Sequence, residues 1–235
     1  MPDELNKRSR LLSLARLRQS TRWDGYNSIA DYHDGAYECD SVSPYTKTAR
    51  NVDANIMVIL LDWASDCALS GPLDRDARDL GYTRSLTTNI NLVRLLNDTF
   101  GLSLSDVYGT NLFPFVKPGG MSAGIPDRDL KRAALEFALP QIDIVNPRLV
   151  ICLGMDTFNP IRRQYGLSRA KNMEAAISSP FTIGNTKVWF QAHTGYFGQM
   201  MRNKGSVDQV MLDWKRMKDA LDYPSTIPGE RKEDL

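Results

Sequence analysis

The sequence IMVILLD at positions 56–62 decides the fold class of this chain. Its six consecutive apolar residues, Ile56 to Leu61, are typical of a strand that is buried on both faces of a parallel sheet. A carboxylate, Asp62, follows the apolar run directly. In an open α/β sheet, residues just past the carboxyl ends of strands face the crevice where ligands bind, so Asp62 is the first candidate functional residue.

Three further segments have the character of strands, and amphipathic segments separate them. We expect strands at 106–111, 148–153 and 187–192; Asn111 ends the first of these, and His193 follows the last. Helices are predicted from a Thr88 cap to Phe100, from Asp127 with a kink or interruption at Pro140 before Ile144, and over 207–221. This alternation predicts an α/β fold, a three-layer α/β/α sandwich with a central four-stranded parallel sheet.

Length and composition indicate an ordinary globular protein. With 235 residues, 42% of them hydrophobic, the chain can bury one well-packed core. Its longest apolar run is far shorter than the roughly 20 residues of a membrane helix, so we expect a cytoplasmic protein without membrane contact. Cys39, Cys67 and Cys152 lack paired metal-ligand spacing, which predicts reduced thiols and neither a metal nor another cofactor.

The N-terminal region is basic although the net charge of the chain is only +1. Residues 1–50 are predicted to form a basic helix and an extension packed on the body, 51–223 the α/β domain, and 224–235 a disordered tail. Six cations and no acid lie between Lys7 and Arg22, with leucines interleaved at helical spacing. The leucines are expected to pack on the body, and the outward arginines remain available for phosphate contact.

The order of these segments resembles the uracil-DNA glycosylase superfamily. The resemblance runs from about residue 52 to 222 and rests on order and spacing. Its parts are the strand ending at Asp62, Ser85-Leu86 before an amphipathic helix, the strand ending at Asn111, the strand NPRLVICLG at 146–154, and the strand before His193. It implies a glycosylase-like sandwich and DNA as the partner of a monomer without an obligate protein partner.

The chain departs from the family pattern beside both motifs. Family members commonly have Gly-Gln-Asp-Pro-Tyr where this chain has LLDWA at 60–64, and His-Pro-Ser where it has HTG at 193–195. In the uracil-specific branch the tyrosine crowds out a substituent at C5 of the pyrimidine, which Ala64 cannot do. The four cluster cysteines of another branch are missing. The identity of the base is therefore left open between uracil and a bulkier, modified pyrimidine.

The resemblance assigns chemical roles to the strand-end residues. Cleavage of an N-glycosidic bond develops positive charge on the sugar and negative charge on the departing base. Asp62 can oppose the positive charge on the sugar, by placing a water or stabilising the sugar cation. His193 can stabilise the negative charge on the base by donating a hydrogen bond to one of its carbonyls. The implied base pocket consists of Leu61, Trp63, Ala64 and Asn111. The backbone N–H of Leu61 assists His193 by donating to the base, and Trp63 either stacks on the base or packs in the pocket wall. Asn111 either hydrogen-bonds the pyrimidine edge or satisfies loop backbone.

The segment after His193 is a candidate for DNA contact. An everted nucleotide leaves a gap in the base stack that apolar side chains can fill. The implied DNA-contacting residues are Ser85, Thr194, Gly195, Tyr196, Phe197, Met200, Arg202 and Lys204, the last two for phosphates. The alternative interpretation places the apolar residues of this segment in a core beneath a loop.

The sequence therefore predicts a monofunctional DNA glycosylase that everts a nucleotide and hydrolyses its N-glycosidic bond, leaving an abasic site. No lysine is placed as a Schiff-base nucleophile, so strand cleavage is not expected. With uracil as the base the role is DNA repair; with a hypermodified cytosine of phage DNA it is antiviral defence. Two alternatives are a catalytically inactive, glycosylase-like DNA-binding protein and a small-molecule nucleoside hydrolase.

Overall fold

The central sheet of the protein has five strands. The structure, a computed structural model, describes residues 2–222, apart from the side chains of residues 2, 3 and 222. The strands are β1 (Ile56–Asp62), β2 (Tyr108–Phe113), β3 (Leu149–Leu153), β4 (Phe181–Ile183) and β5 (Thr186–Gln191), in the spatial order β2-β1-β3-β5-β4. All neighbouring strands run parallel except β4, which pairs antiparallel with β5.

The parallel core confirms the predicted α/β class, and β4 corrects the predicted number of strands from four to five. β4 has only three residues and joins β5 through a turn at Gly184, where φ is +55°. A three-residue edge strand is too short to show the period-2 pattern by which strands are predicted. β2 also extends two residues beyond its predicted end, so Asn111 lies within the strand and pairs in register with Leu60.

Helices cover both faces of the sheet. They are α1 (Pro2–Ser20), α2 (Asp66–Leu69), α3 (Arg75–Leu80), α4 (Thr87–Phe100), α5 (Asp127–Ala133), α6 (Leu139–Val145), α7 (Met155–Gln164), α8 (Met173–Ile177), α9 (Tyr196–Arg202) and α10 (Gln209–Asp222). Met57 and Ile59 of β1 pack into the core shared with α5–α7, whereas Val58 packs against α4 and α10. None of the described helices is long and apolar enough to span a bilayer.

The helices differ from simple α-helices of the predicted bounds at two places. α4 begins at Thr87 with Leu86 in the N-cap position, so Thr88 lies inside the first turn and does not cap the helix. The helix that starts at Asp127 gives way to a π-helical turn over Ala134–Ala138, which leads into α6 with Pro140 in its first turn, so the expected irregularity at Pro140 takes the form of a π turn. Proline has no N–H and its ring clashes with the carbonyl four residues earlier in an α-helix, and the wider π turn accommodates both effects.

The basic helix α1 packs on the body, and two of its cations, Lys7 and Arg10, form ion pairs there. Leu11 and Ala15 are buried in the core. Lys7 binds Asp53 and Arg10 binds Asp143, each at 2.8 Å. Lys7 Nζ also lies 3.4 Å from the backbone carbonyl oxygen of Val52, a few residues before β1 begins. These contacts hold both cations against the protein. The predicted tail at 224–235 lies outside the residues that the structure describes.

Within the N-terminal region, the fully buried Arg18 joins α1 to the segment at 38–41. One guanidinium nitrogen, Nη1, lies 2.8 Å from Glu38 Oε2, and Nη2 contacts Oε1 of the same carboxylate. Nη2 also donates to the carbonyls of Cys39 and Ser41, at 2.8 and 3.0 Å. The side chain of Glu38 retains 24% exposure, so water shares in its solvation.

We expect Arg18→Leu to lower the free energy of unfolding by about 3 kcal/mol, because it strips the charge partner from Glu38 and the donor from two carbonyls. Urea denaturation followed by circular dichroism measures the loss. Arg16→Leu, on the exposed side of the same helix, is the matched control and should change the free energy of unfolding by less than about 0.5 kcal/mol. Equal effects of the two substitutions would contradict the assignment.

Candidate active site

The carboxyl edge of the sheet forms one wall of a cavity of about 730 Å³. Asp62 ends β1, Asn111 lies beside it near the end of β2, and His193 follows β5 by two residues. All three side chains line this cavity. Its volume lies within the roughly 300–1,000 Å³ typical of small-molecule sites. The topology of the sheet therefore brings Asp62, Asn111 and His193 together, as the sequence analysis predicts.

Asp62 is an almost buried carboxylate with a lysine as its partner. Its side chain is 8% exposed, and Lys117 Nζ lies 3.0 Å from its Oδ2. Burial raises the pKa of Asp62 above its ordinary value, and the nearby Lys117 charge opposes that rise in pKa. The site therefore holds a carboxylate whose ionised form depends on one cation.

His193 is held as a neutral imidazole with a defined tautomer. The backbone N–H of Gly195 donates to Nδ1 at 3.0 Å, which places the ring proton on Nε2. Burial lowers the pKa of His193, because the charged form loses its hydration. No described residue accepts a hydrogen bond from Nε2. This nitrogen is therefore an available donor at the cavity.

Two glycines fix the position of the imidazole. A Cβ at Gly195 would lie 2.9 Å from His193 Nδ1, and one at Gly198 would lie 2.1 Å from the His193 carbonyl oxygen. Gln199 Nε2 donates to the same carbonyl at 3.2 Å. The N-terminal turn of α9 is thus packed directly on the histidine backbone, with no space for a methyl group between them.

Asn111 has its amide orientation fixed by a residue that the sequence did not indicate. Ser43, in the N-terminal extension, donates its hydroxyl proton to Asn111 Oδ1 at 2.5 Å. The Nδ2 group has no hydrogen-bond acceptor among the described residues. Asn111 is 1% exposed, so the side chain is held firmly against the cavity. Its amino group therefore remains as a donor for a ligand.

The residues after Asp62 build one side wall of the cavity. Leu61, Trp63 and Ala64 all line it. The indole Nε1 of Trp63 donates to the Gly81 carbonyl at 2.8 Å, and the ring meets Tyr37 edge to face at 5.3 Å between centroids. These contacts fix the indole as part of the wall. Ala64 is buried and contributes only a methyl group, so the cavity stays wide at this point.

Helix α9 presents apolar side chains to solvent beside the cavity. Tyr196 is 64% exposed and Phe197 74% exposed, and both line the cavity. Met200 is 46% exposed on the same helix. These values contradict the alternative that the segment forms a core beneath a loop. Ser85 and Lys204 are exposed, in keeping with their predicted availability.

Two predicted DNA-contacting side chains do not face the solvent freely: one is buried and the other is engaged by carboxylates. Thr194 is fully buried, and its carbonyl accepts a hydrogen bond from Asn91 at 2.8 Å. Arg202 is held by Asp213, at 2.6 Å from Nε to Oδ2, and by Glu174 at 2.8 Å. A fully buried hydroxyl and a guanidinium engaged by two carboxylates do not face a ligand in this conformation. Neither side chain is therefore available to DNA in the conformation shown, and their predicted contacts stay predictions.

Lys117 and Ser43 belong to the site although sequence reasoning missed them. Lys117 stands after the apolar run FPFV at 113–116 and before Pro-Gly-Gly, where a lone lysine leading into a turn was the available signal. Ser43 caps a short 3-10 helix at Pro44–Lys47 by accepting from the Tyr45 N–H, and nothing in its local sequence distinguishes it from an ordinary cap.

No protein-family model matches the sequence, and no curated protein matches it with significance. Function must therefore be inferred from the geometry of the cavity.

The state of His193 can be measured directly. We expect the imidazole of His193 to titrate below the ordinary histidine pKa of about 6.5, with the proton on Nε2 throughout the neutral range. Nitrogen-15 NMR of the side chains measures both properties. The chain has two histidines, so the His33→Gln variant identifies the His193 signals. A proton on Nδ1 in the neutral form would contradict the contact with Gly195.

Proposed function

We propose that the protein is a DNA glycosylase that removes a pyrimidine from an everted nucleotide and leaves an abasic site. The observation that carries the proposal is the meeting of Asp62, Asn111 and His193 in one cavity at the carboxyl edge of the sheet. An anion and a neutral hydrogen-bond donor facing the same space match the two opposite charges that develop when an N-glycosidic bond breaks.

In the proposed reaction, water adds to C1′ of the sugar while the C1′–N bond breaks and its electron pair leaves with the base. Asp62 orients the water, accepts its proton and opposes the positive charge on the sugar. His193 Nε2–H donates to the carbonyl oxygen of the base as negative charge accumulates there. A neutral imidazole suits this role, because the Gly195 N–H fixes its tautomer before substrate arrives.

The shape of the cavity favours a modified pyrimidine over uracil. Ala64 leaves space where a larger side chain would exclude a C5 substituent, and a cavity of about 730 Å³ exceeds what an unsubstituted pyrimidine ring fills. Asn111 Oδ1 is already engaged by Ser43, while Nδ2 retains its donors. Nδ2 can donate to N3 of cytosine or to O4 of uracil, so Asn111 suits a pyrimidine edge in either case, and the size of the cavity carries the preference for a substituted base.

The exposed apolar face of α9 supports DNA as the carrier of that base. Tyr196 and Phe197 lie at the cavity, where a side chain can occupy the gap that an everted nucleotide leaves. Lys204 and Ser85 are exposed and available to phosphates. Free nucleosides require neither feature.

Base release tests the proposed roles of Asp62 and His193. DNA containing uracil, hypoxanthine and several C5-substituted cytosines is incubated with the protein, and released bases are identified by mass spectrometry. We expect a C5-substituted cytosine to be released, Asp62→Asn to slow its release by about 10²–10⁴-fold, and His193→Ala to slow it by about 10²–10³-fold. Asp156→Asn, which alters another carboxylate of the same cavity, is the matched control and should retain the wild-type rate.

The alternatives give distinct outcomes in the same assay. Tight DNA binding without release of any base would identify an inactive DNA-binding protein. Cleavage of free nucleosides with little dependence on salt would identify a nucleoside hydrolase, because binding through phosphates falls steeply as salt rises. Release that survives both Asp62→Asn and His193→Ala would remove these residues from the mechanism.

The role of α9 can be tested separately. We expect Phe197→Ser to slow release from duplex DNA by at least about tenfold, because loss of an inserted ring leaves the unstacking energy of a few kcal/mol uncompensated. Single-stranded DNA needs no unstacking of this kind, so its cleavage should change little. Leu212→Ser, at an exposed apolar position on α10 that does not line the cavity, is the control. Equal losses on both substrates would contradict insertion of Phe197.

A further inference from the structure

Lys117 is a buried lysine that lines the cavity. Its side chain is 3% exposed, and Nζ lies between two oxygens. One is Asp62 Oδ2 at 3.0 Å, and the other is the carbonyl oxygen of Met121, to which Nζ donates at 2.6 Å. The Asp66 N–H donates to the Lys117 carbonyl at 2.9 Å, so the lysine backbone is tied to the segment that leaves β1.

Such a buried lysine is costly to the fold unless it has a specific partner. An ammonium group taken out of water loses hydration worth several kcal/mol, and only a close anion and further acceptors offset this. Asp62 and Met121 supply both here. The same desolvation acts against the charge of Asp62, so each ion stabilises the charged form of the other.

We infer that Lys117 is a positioning residue, which keeps Asp62 ionised and in place while fastening the loop at 118–125 over the base-binding cavity. Met121, Ser122, Ala123, Gly124 and Ile125 of this loop line the cavity. The inference rests on the proposed function in one respect: Asp62 is the anion of the reaction. Lys117 acts through Asp62 and through the loop, without itself touching the bond that breaks.

The surroundings of Asp62 assign this effect to Lys117. The other titratable side chains that line the cavity are Tyr37, Tyr45, Asp74, Tyr82, Asp156, His193 and Tyr196. His193 is neutral because its Nδ1 accepts a hydrogen bond from the Gly195 N–H, and the Asp74 carboxylate accepts a hydrogen bond from the Thr83 hydroxyl. Among the described groups, Lys117 is the charged one that lowers the pKa of Asp62 against the effect of burial.

A second role for an amine beside a carboxylate is nucleophilic attack on C1′, which ends in an imine and strand cleavage. An attacking amine needs an unshared electron pair. Lys117 Nζ instead faces two oxygen acceptors, an arrangement that suits the protonated form. The geometry therefore favours the ion-pair role, and covalent trapping with borohydride distinguishes the two.

The titration of Asp62 provides a test that needs no substrate. Carbon-13 NMR follows its carboxyl carbon with pH in the wild type, in Lys117→Met and in the exposed control Lys204→Met; the Asp62→Asn variant identifies the signal. We expect the apparent pKa of Asp62 to rise in Lys117→Met alone, since burial then acts unopposed. An unchanged pKa in Lys117→Met overturns the inference.

The rate of base release provides the kinetic readout. Ionised Asp62 is required, so activity falls as pH drops through its pKa, and we expect this acidic limb to move to higher pH in Lys117→Met while the rate recovers at alkaline pH. A loss that is uniform across pH, or a borohydride adduct that depends on Lys117, overturns the inference. Absence of base release by the wild type refutes the proposed function instead, and the NMR titration still decides the role of Lys117.

Should Lys117→Met fold poorly, the double variant Asp62→Asn/Lys117→Met keeps the test decisive. It leaves neither charge buried without a partner, so its urea midpoint should exceed that of Lys117→Met. Additive changes in the free energy of unfolding would show that the two side chains do not interact and would overturn the inference.

Discussion

Burial of β1 on both of its faces is the constraint on which the site depends. Met57 and Ile59 face one helical layer and Val58 faces the other, so no polar residue fits within the strand. A slip of one residue would exchange the two faces and move the strand end. The first charged residue after the apolar run therefore stands where the sheet meets the cavity, and the hydrophobic core determines the position of the Asp62 carboxylate.

Desolvation acts on both ionisable partners of the proposed reaction and favours the neutral form of each. It raises the pKa of Asp62 and lowers that of His193. For the histidine this suits the proposed role, because a neutral imidazole with a fixed tautomer is a donor already. For the aspartate it opposes the role, and the structure supplies a cation at 3.0 Å. Among the described groups, Asp62 has a charged neighbour that shifts its pKa and His193 has none, which agrees with the different states that the two proposed roles require.

The sequence was informative where structure follows from local pattern, and silent where it follows from tertiary contact. Apolar runs located β1, β3 and β5, β2 was predicted from the short segment DVYGTN at 106–111, and the geometry of parallel sheets then placed Asp62 and His193 at one edge. Lys117 and Ser43 lie in irregular segments whose paths depend on distant contacts, so no periodicity marked them. Arg202 was predicted to contact phosphates, but in the structure it binds Asp213 of α10. That contact forms only when α10 folds beside α9, so no local sequence pattern indicates it.

The close packing of Gly198 on the His193 carbonyl has a mechanical consequence. A side chain at position 198 would meet the histidine backbone, because its Cβ would lie 2.1 Å from the carbonyl oxygen, and Gln199 adds a hydrogen bond across the same contact. The backbone positions from which Tyr196 and Phe197 extend are therefore set relative to His193 when the protein folds. The exposed rings themselves keep their rotamer freedom, so they can adjust to a ligand while the backbone that carries the imidazole donor stays in place.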